Sequence, residues 1–209
     1  MASPFNLSEQ NTQVDSKVVA ALERVAQAFR VLLWQEGKAF GLSPIQIQLL
    51  IFIQHHHDSM CKVSYLAQEF NMTKPTISDA VKALERKGLV KKVAEVHDTR
   101  SQVILLTAKG KAIVDKTATF STPLQQSISQ LPPAQQATML AGLTEVIAYL
   151  NRTGIISMQR MCSTCAHYRR QHEGASHYCA LMDQPLAKTE LRLDCPEHEP
   201  SDAPSQVPG

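Results

Sequence analysis

Aromatic side chains are scarce in this chain: phenylalanine, tyrosine and tryptophan make up 5% of its 209 residues, against a hydrophobic fraction of 44%. A core of that composition has to be aliphatic, and the hydrophobic fraction is high enough to bury one. Long apolar runs are missing too. No stretch approaches the roughly 20 residues needed to span a bilayer. The opening residues, Met1 to Gln10, hold neither a basic nor an apolar region, which argues against a secretory signal. The expected location is the cytoplasm, where disulfides are rare. A Gly-rich nucleotide loop, a nucleophile elbow and a paired-carboxylate site are also absent, and this weighs against an enzyme. Charge of one sign is not in large excess. The net is +2, which taken over the whole chain is no argument for nucleic acid.

What the sequence does contain is helical periodicity. Residues 1–14 are polar and read as a flexible N-terminus. From Asp15, apolar residues recur at three- and four-residue spacing: Val18, Val19, Leu22, Val25, Ala26, Phe29, Leu32 and Leu33. Asp15 or Ser16 is placed to cap this helix and Gly41 to end it. Its apolar face is wider than a solitary helix needs and suits a partner subunit. Ser43-Pro44 signals a second helix start, and Ile45 to Ile53 reads as buried. A short helix over about 63–70, a turn at Asn71-Met72, and a helix from Thr73 to Lys87 closed by Gly88 come next. Two strands, 89–96 and 102–107, pair around the polar tip His97 to Ser101. A helix over about 108–129, a break at Leu131-Pro132-Pro133, and a last helix over 134–151 complete the pattern. The expected fold class is mainly α with a small β-hairpin wing.

Two short helices joined by a tight turn and followed by a charged hairpin make a winged helix-turn-helix. A helix fits the major groove, and residues near its N-terminus reach base edges. The front of the Thr73 helix offers Thr73, Lys74, Thr76, Ser78, Asp79 and Lys82; Ile77, Val81 and Leu84 form its apolar back. Between residues 62 and 111 stand ten basic and five acidic residues, a net of +5 that leaves −3 for the remainder. A basic stripe on an otherwise acidic chain is the electrostatic footprint of a DNA face. The plainer readings are that Lys91 and Lys92 guard a strand edge and that Lys109 decorates a helix start.

The segments Leu84-Glu85-Arg86-Lys87-Gly88-Leu89-Val90, Asp98-Thr99-Arg100-Ser101 and Leu105-Leu106-Thr107-Ala108-Lys109-Gly110 together resemble the MarR family of transcriptional regulators, over about residues 15–151. The resemblance implies a homodimer joined through the first and last helices, with the Thr73 helix in the major groove of double-stranded DNA. It implies that Arg100 reaches the minor groove, that Asp98 orients the wing, and that a small aromatic effector could bind at the dimer interface. A repressor is the expected role.

Past residue 151 the composition changes, and the family pattern lacks this extension. Cys162, Cys165, Cys179 and Cys195 fall in residues 158–200: one C-x2-C knuckle and two single thiols. Four thiolates can close a tetrahedral site, and a metal would hold together a segment too poor in apolar residues to fold unaided. The single knuckle and the Cys195-Pro196 ending favour an iron–sulfur cluster, with zinc next. A metal-free redox-sensitive set near Arg169, Arg170 and His177 is the third reading. His167, His172, His177 and His198 could replace a ligand or bond a ligand sulfur, but the ordinary expectation for each is a solvated side chain. His55, His56 and His57 point about 100° apart on a helix and cannot share one ion; they read as a solvated helix end. Cys61, far from the others, reads as a small buried hydrophobe. Residues 201–209 read as a disordered tail. The competing function classes are a thiol or redox enzyme and a metal-stabilised protein-interaction module.

Overall fold

A computed structural model describes residues 3–95 and 101–201. Its N-terminal part is helical: α1 (Leu7–Thr12), α2 (Val14–Phe40), α3 (Pro44–His55), α4 (Val63–Glu69) and α5 (Lys74–Arg86). A hairpin of β1 (Val90–Ala94) and β2 (Gln102–Leu106) comes next, then α6 (Ala108–Thr117), α7 (Thr122–Ser129) and α8 (Pro133–Arg152). Residues 153–201 form a smaller unit around the antiparallel strands β3 (Tyr168–His172), β4 (Ala175–Cys179) and β5 (Gln184–Pro185).

Local chemistry sets the helix ends. Gly41 takes a left-handed φ of 61° and lets α2 turn back. The Ser43 amide donates to Gln46 Oε1 at 3.0 Å beside Pro44, the first residue of α3. Thr73 caps α5, its hydroxyl accepting the Thr76 amide at 3.3 Å. Asn71, at φ 51°, makes the tight turn between α4 and α5, and Gly88, at φ 69°, releases the chain from α5 into β1.

One aliphatic cluster holds these elements. Ile47, Leu49 and Leu50 of α3, Leu66 of α4, Ile77, Val81 and Leu84 of α5 and Ile104 of β2 are all fully buried in it. Each such side chain contributes about 1.5–3 kcal/mol of burial, and α3, α4, α5 and β2 converge there. The Ile104 amide also donates to the Cys61 carbonyl at 2.8 Å, tying the hairpin to the turn before α4.

The structure departs from the sequence expectations in two places here. Residues 7–12, expected within a flexible terminus, wind into α1, because Asn6 accepts the Ser8 amide at 2.9 Å as an N-cap. Helix α2 then starts at Val14 after Gln13, and Asp15 bonds its neighbour Ser16 rather than capping. The continuous helix expected over 108–129 is two helices. Pro123 lies in the first turn of α7 and has no amide to continue α6.

Thr107 locks the base of the wing. Its hydroxyl donates to the Gly88 carbonyl at 2.7 Å and accepts the Gly110 amide at 3.0 Å. A Cβ on Gly110 would lie 2.0 Å from the Leu89 carbonyl oxygen. Gly110→Ala should therefore force β1 and α6 apart and cost about 1–3 kcal/mol, as overpacking does, read as a lower urea midpoint with an unchanged slope.

Candidate nucleic-acid interface and cysteine module

Helix α5 is divided lengthwise. Ile77, Ala80, Val81 and Leu84 are buried, while Thr73, Lys74, Thr76 and Lys82 are exposed and Ser78 is half-buried. The N-cap Thr73 and the α5 residues Lys74, Thr76, Ser78, Asp79 and Lys82 therefore share the outward edge of one helix. Two of them also serve the fold: the Thr73 and Thr76 hydroxyls bond one another at 2.7 Å in the cap. Lys82 pairs with Asp79 at 3.2 Å in the open, where such a pair is worth little. Wing residues Asp98 and Arg100 lie outside the described residues. Lys92 pairs with Glu85 at 3.2 Å, and Lys109 donates to the Lys87 carbonyl at 3.0 Å, closing the C-terminal end of α5.

The C-terminal unit grips the helix-turn-helix at α4, at the α4–α5 turn and at the end of α3. The Asn71 amide group donates to the Ile155 carbonyl at 3.2 Å, and Ser157 donates to the Gln68 carbonyl at 2.7 Å. Arg160, 7% exposed, holds the centre. Its guanidinium donates to both oxygens of Glu69 in α4, at 2.5 and 3.2 Å, and to Asp194 at 2.6 and 2.9 Å. It also donates to the Tyr65 hydroxyl at 3.1 Å and lies over the Phe52 ring. Burial pulls the guanidinium pKa down, but the Asp194 and Glu69 carboxylates outweigh it and the net shift is upward. The Arg160 bonds in turn hold the Asp194 carboxyl at about 2. Removing either carboxylate would leave the buried guanidinium short of a partner, which is destabilising because the abandoned charge stays buried.

His56 belongs to this contact and is not the solvated helix end expected from the His55-His56-His57 run. Its ring stacks on Phe52 at 3.7 Å and 6°, and its Nε2 lies 2.9 Å from Asp194 Oδ2. The helical spacing from Phe52 to His56, four residues, put both on one face. Neither Arg160 nor Asp194 carried any periodic signal, since their partners lie 34 to 138 residues away.

The cysteine module folds back on itself around one pocket. Cys162 and Cys165 sit on a single 3₁₀ turn, Cys179 ends β4 opposite Tyr168, and Cys195 follows Asp194. All four thiols line the pocket, with His167, Arg192, Leu186 and Met182 among the other walls. None is in a disulfide. Among the described residues, no three His, Cys, Asp or Glu side chains are already gathered in a ligand arrangement. The Cys195 amide donates to the Arg160 carbonyl at 2.9 Å, and the Cys162 amide to the Arg192 carbonyl at 3.0 Å. The Arg192 amide donates back to Cys162 Sγ at 3.2 Å, and its guanidinium reaches Cys195 Sγ at 3.4 Å.

Burial pushes the Cys162 thiol up; the Arg192 amide opposes this, and Cys195, Cys165 and Cys179 reinforce it. Of the cations named from sequence, Arg169 donates to the carbonyls of Ala166 and Tyr168, and Arg170 faces Glu145 of α8. Arg192 is the arginine that reaches the sulfurs, and sequence reasoning passed over it. His177 is buried, its Nδ1 bonded to the Tyr168 hydroxyl, and His198 bonds Thr164 at 2.9 Å. Burial lowers the pKa of both rings. His167 lines the pocket, and its Nε2 lies 3.3 Å from Glu199.

The N-terminal part, mostly helical with one small antiparallel hairpin, matches the winged helix-turn-helix fold found in MarR-type transcription regulators. Residues 40–101 match the profile of the MarR family. Among solved structures, the chain is similar to a MepR–DNA complex from S. aureus, with 26% identity and a TM-score of 0.57, covering 63% of this chain and 97% of MepR. MepR in its DNA-binding conformation matches at 24% identity and TM-score 0.57, over 64% and 98% of the two chains. The transcriptional regulator PA3341 matches at 26% identity and TM-score 0.56, also over 64% and 98%. These relatives are matched over nearly their whole length, so this chain carries a sizeable segment that they lack. No curated protein sequence matches the chain. Among the described residues no helix is long and apolar enough to cross a membrane.

Cys61 stands apart from the module and is fully buried in the main core, as a small hydrophobe would be. Burial, helped by Asp58, pushes its thiol up to about 11. At pH 8 it stays protonated, so iodoacetamide should leave Cys61 unlabelled in native protein and label it fully in urea, as read by peptide mass spectrometry.

Proposed function

We propose that this chain is a sequence-specific DNA-binding transcriptional regulator, a repressor, that acts as a cytoplasmic homodimer and carries a metal in its C-terminal cysteine module. The observation that carries the DNA reading is the division of α5. On a fold shared with a regulator solved on DNA, the buried back leaves Thr73, Lys74, Thr76, Ser78 and Lys82 as the edge offered to the major groove. Asp98 and Arg100 of the wing are assigned by resemblance to wing orientation and minor-groove contact.

The dimer reading rests on uncovered apolar surface. Of the 27 residues of α2 only Leu33 and Gly37 are buried, and of the 20 in α8 only Ala148. Val18, Leu22, Val25, Phe29 and Trp34 of α2 and Val146 and Tyr149 of α8 remain exposed. An apolar area of that extent on two long helices suits a second copy. The family resemblance adds a small aromatic effector at that interface as an input.

The metal reading rests on four unpaired thiols lining one pocket in a unit whose buried apolar side chains are Met161 and Leu186. Binding would draw the thiols together and supply the cohesion that so small a core lacks. An iron–sulfur cluster is the first choice and zinc the second; a cluster would add redox sensitivity, whereas zinc would stabilise the module alone.

Two measurements test this function. Binding to DNA from the chain's own promoter should weaken steeply with salt, and Lys74→Ala should lower affinity for every sequence and reduce the log–log salt slope by about 1, as loss of one phosphate contact does. An unchanged slope would remove Lys74 from the interface. Protein purified anaerobically should carry one metal site per chain, brown with visible absorbance for an iron–sulfur cluster and colourless for zinc. Protein that is metal-free and takes up neither would refute the metal reading and leave the DNA reading standing.

A further inference from the structure

We infer that Arg160 and Asp194 form a positioning pair that transmits the state of the cysteine module to the DNA-reading helices, an inference that rests on the metal reading proposed above. Both residues stand beside candidate ligands. Arg160 precedes Cys162 by two positions, Asp194 precedes Cys195 by one, and the Cys195 amide donates to the Arg160 carbonyl at 2.9 Å. The two segments run side by side at this point as an isolated parallel bridge. Drawing Cys162 and Cys195 toward a common ion therefore fixes the backbone on each side of the Arg160–Asp194 ion pair.

The other half of the guanidinium is committed to the helix-turn-helix. It donates to both oxygens of Glu69 and to the Tyr65 hydroxyl, both on α4, while Asp194 meets His56 at the end of α3. Helix α4 is the helix against which α5 packs, and Asn71 in the turn between them bonds Ile155 of the same C-terminal segment. An arginine with fixed planar geometry and two carboxylate partners transmits position well, because its donors cannot follow one partner without straining the other. In the closed module, Asp194 holds Arg160 in line with Glu69 and fixes α4. In the open module, the Asp194 side of the clamp is free to move, and the α4–α5 unit loses that restraint. The coupling is physical and contiguous: thiol pair, bridge, ion pair, α4, α5.

The test uses the full chain, anaerobically isolated with its metal, stripped by a chelator, and reloaded with zinc alone. Promoter affinity is measured in each state by fluorescence anisotropy, with metal content measured in parallel. The wild type should change affinity by about tenfold between loaded and stripped forms, within the usual range for coupled sites. Asp194→Asn retains side-chain shape and removes the charge. It should take up the same metal, melt cooperatively and still bind DNA, with its loaded-to-stripped ratio reduced to near one. Tyr65→Phe, which removes the outer hydroxyl bond and leaves the ion pair, should keep most of the wild-type ratio. A protein that takes up no metal defeats the metal reading and this inference with it. A wild type that binds metal with no change in DNA affinity overturns the coupling alone. An Asp194→Asn variant that keeps the wild-type ratio overturns the role of the pair.

Discussion

The burial of one face of α5 is the constraint on which the N-terminal unit depends. Ile77, Val81 and Leu84 are fully buried against aliphatic side chains of α3, α4 and β2. Rotating the helix by a single residue, about 100°, would drive polar side chains into that cluster and expose its apolar ones. The rotational setting of α5 is thus decided by aliphatic packing, and the outward placement of Thr73, Lys74, Thr76 and Lys82 comes with it. The same cluster takes in Leu89, Val90 and Ile104 from the base of the wing. Hairpin and α5 therefore form one packed body, and a surface made from both can stay aligned.

A second, polar constraint joins the two units. Arg160 is a buried cation with two carboxylate partners, one from α4 and one from the cysteine module. Such a pair adds little to stability over an apolar replacement, but its geometry is demanding. It suits a joint that must hold one arrangement and be able to release it. The small core of the C-terminal unit makes its own cohesion the weak link, and a ligand that closes the four thiols would act there first.

Sequence periodicity and punctuation showed most of the N-terminal fold. Gly41, Ser43-Pro44, Thr73 and Gly88 each marked an end that the structure confirms, because caps and left-handed turns depend on one or two residues. The break between α6 and α7 was also written locally, in Pro123, and α1 in the Asn6 cap; both signals were short and easily overridden by the longer pattern around them. His56 sits in a run of three that reads as a solvated end, although its four-residue spacing from Phe52 places it on the packed side. Arg160, Asp194 and Glu69 could not have been assembled from the sequence. Their meeting depends on how a segment after α8 returns to α4, and no spacing rule encodes that. The cysteines could be named as a set, but not Arg192, whose bonds to two of their sulfurs arise from the backward course of the chain.

The proposed function requires that α5 of each protomer lie in a major groove, with two such helices presented by a dimer. Hydroxyl-radical footprinting of the intact protein on its own promoter tests this most directly. The account predicts two protected stretches on one face of the duplex, about one helical turn or a whole multiple of a turn apart and related by a dyad. A folded dimer that leaves every promoter position equally cleaved at low salt would contradict it.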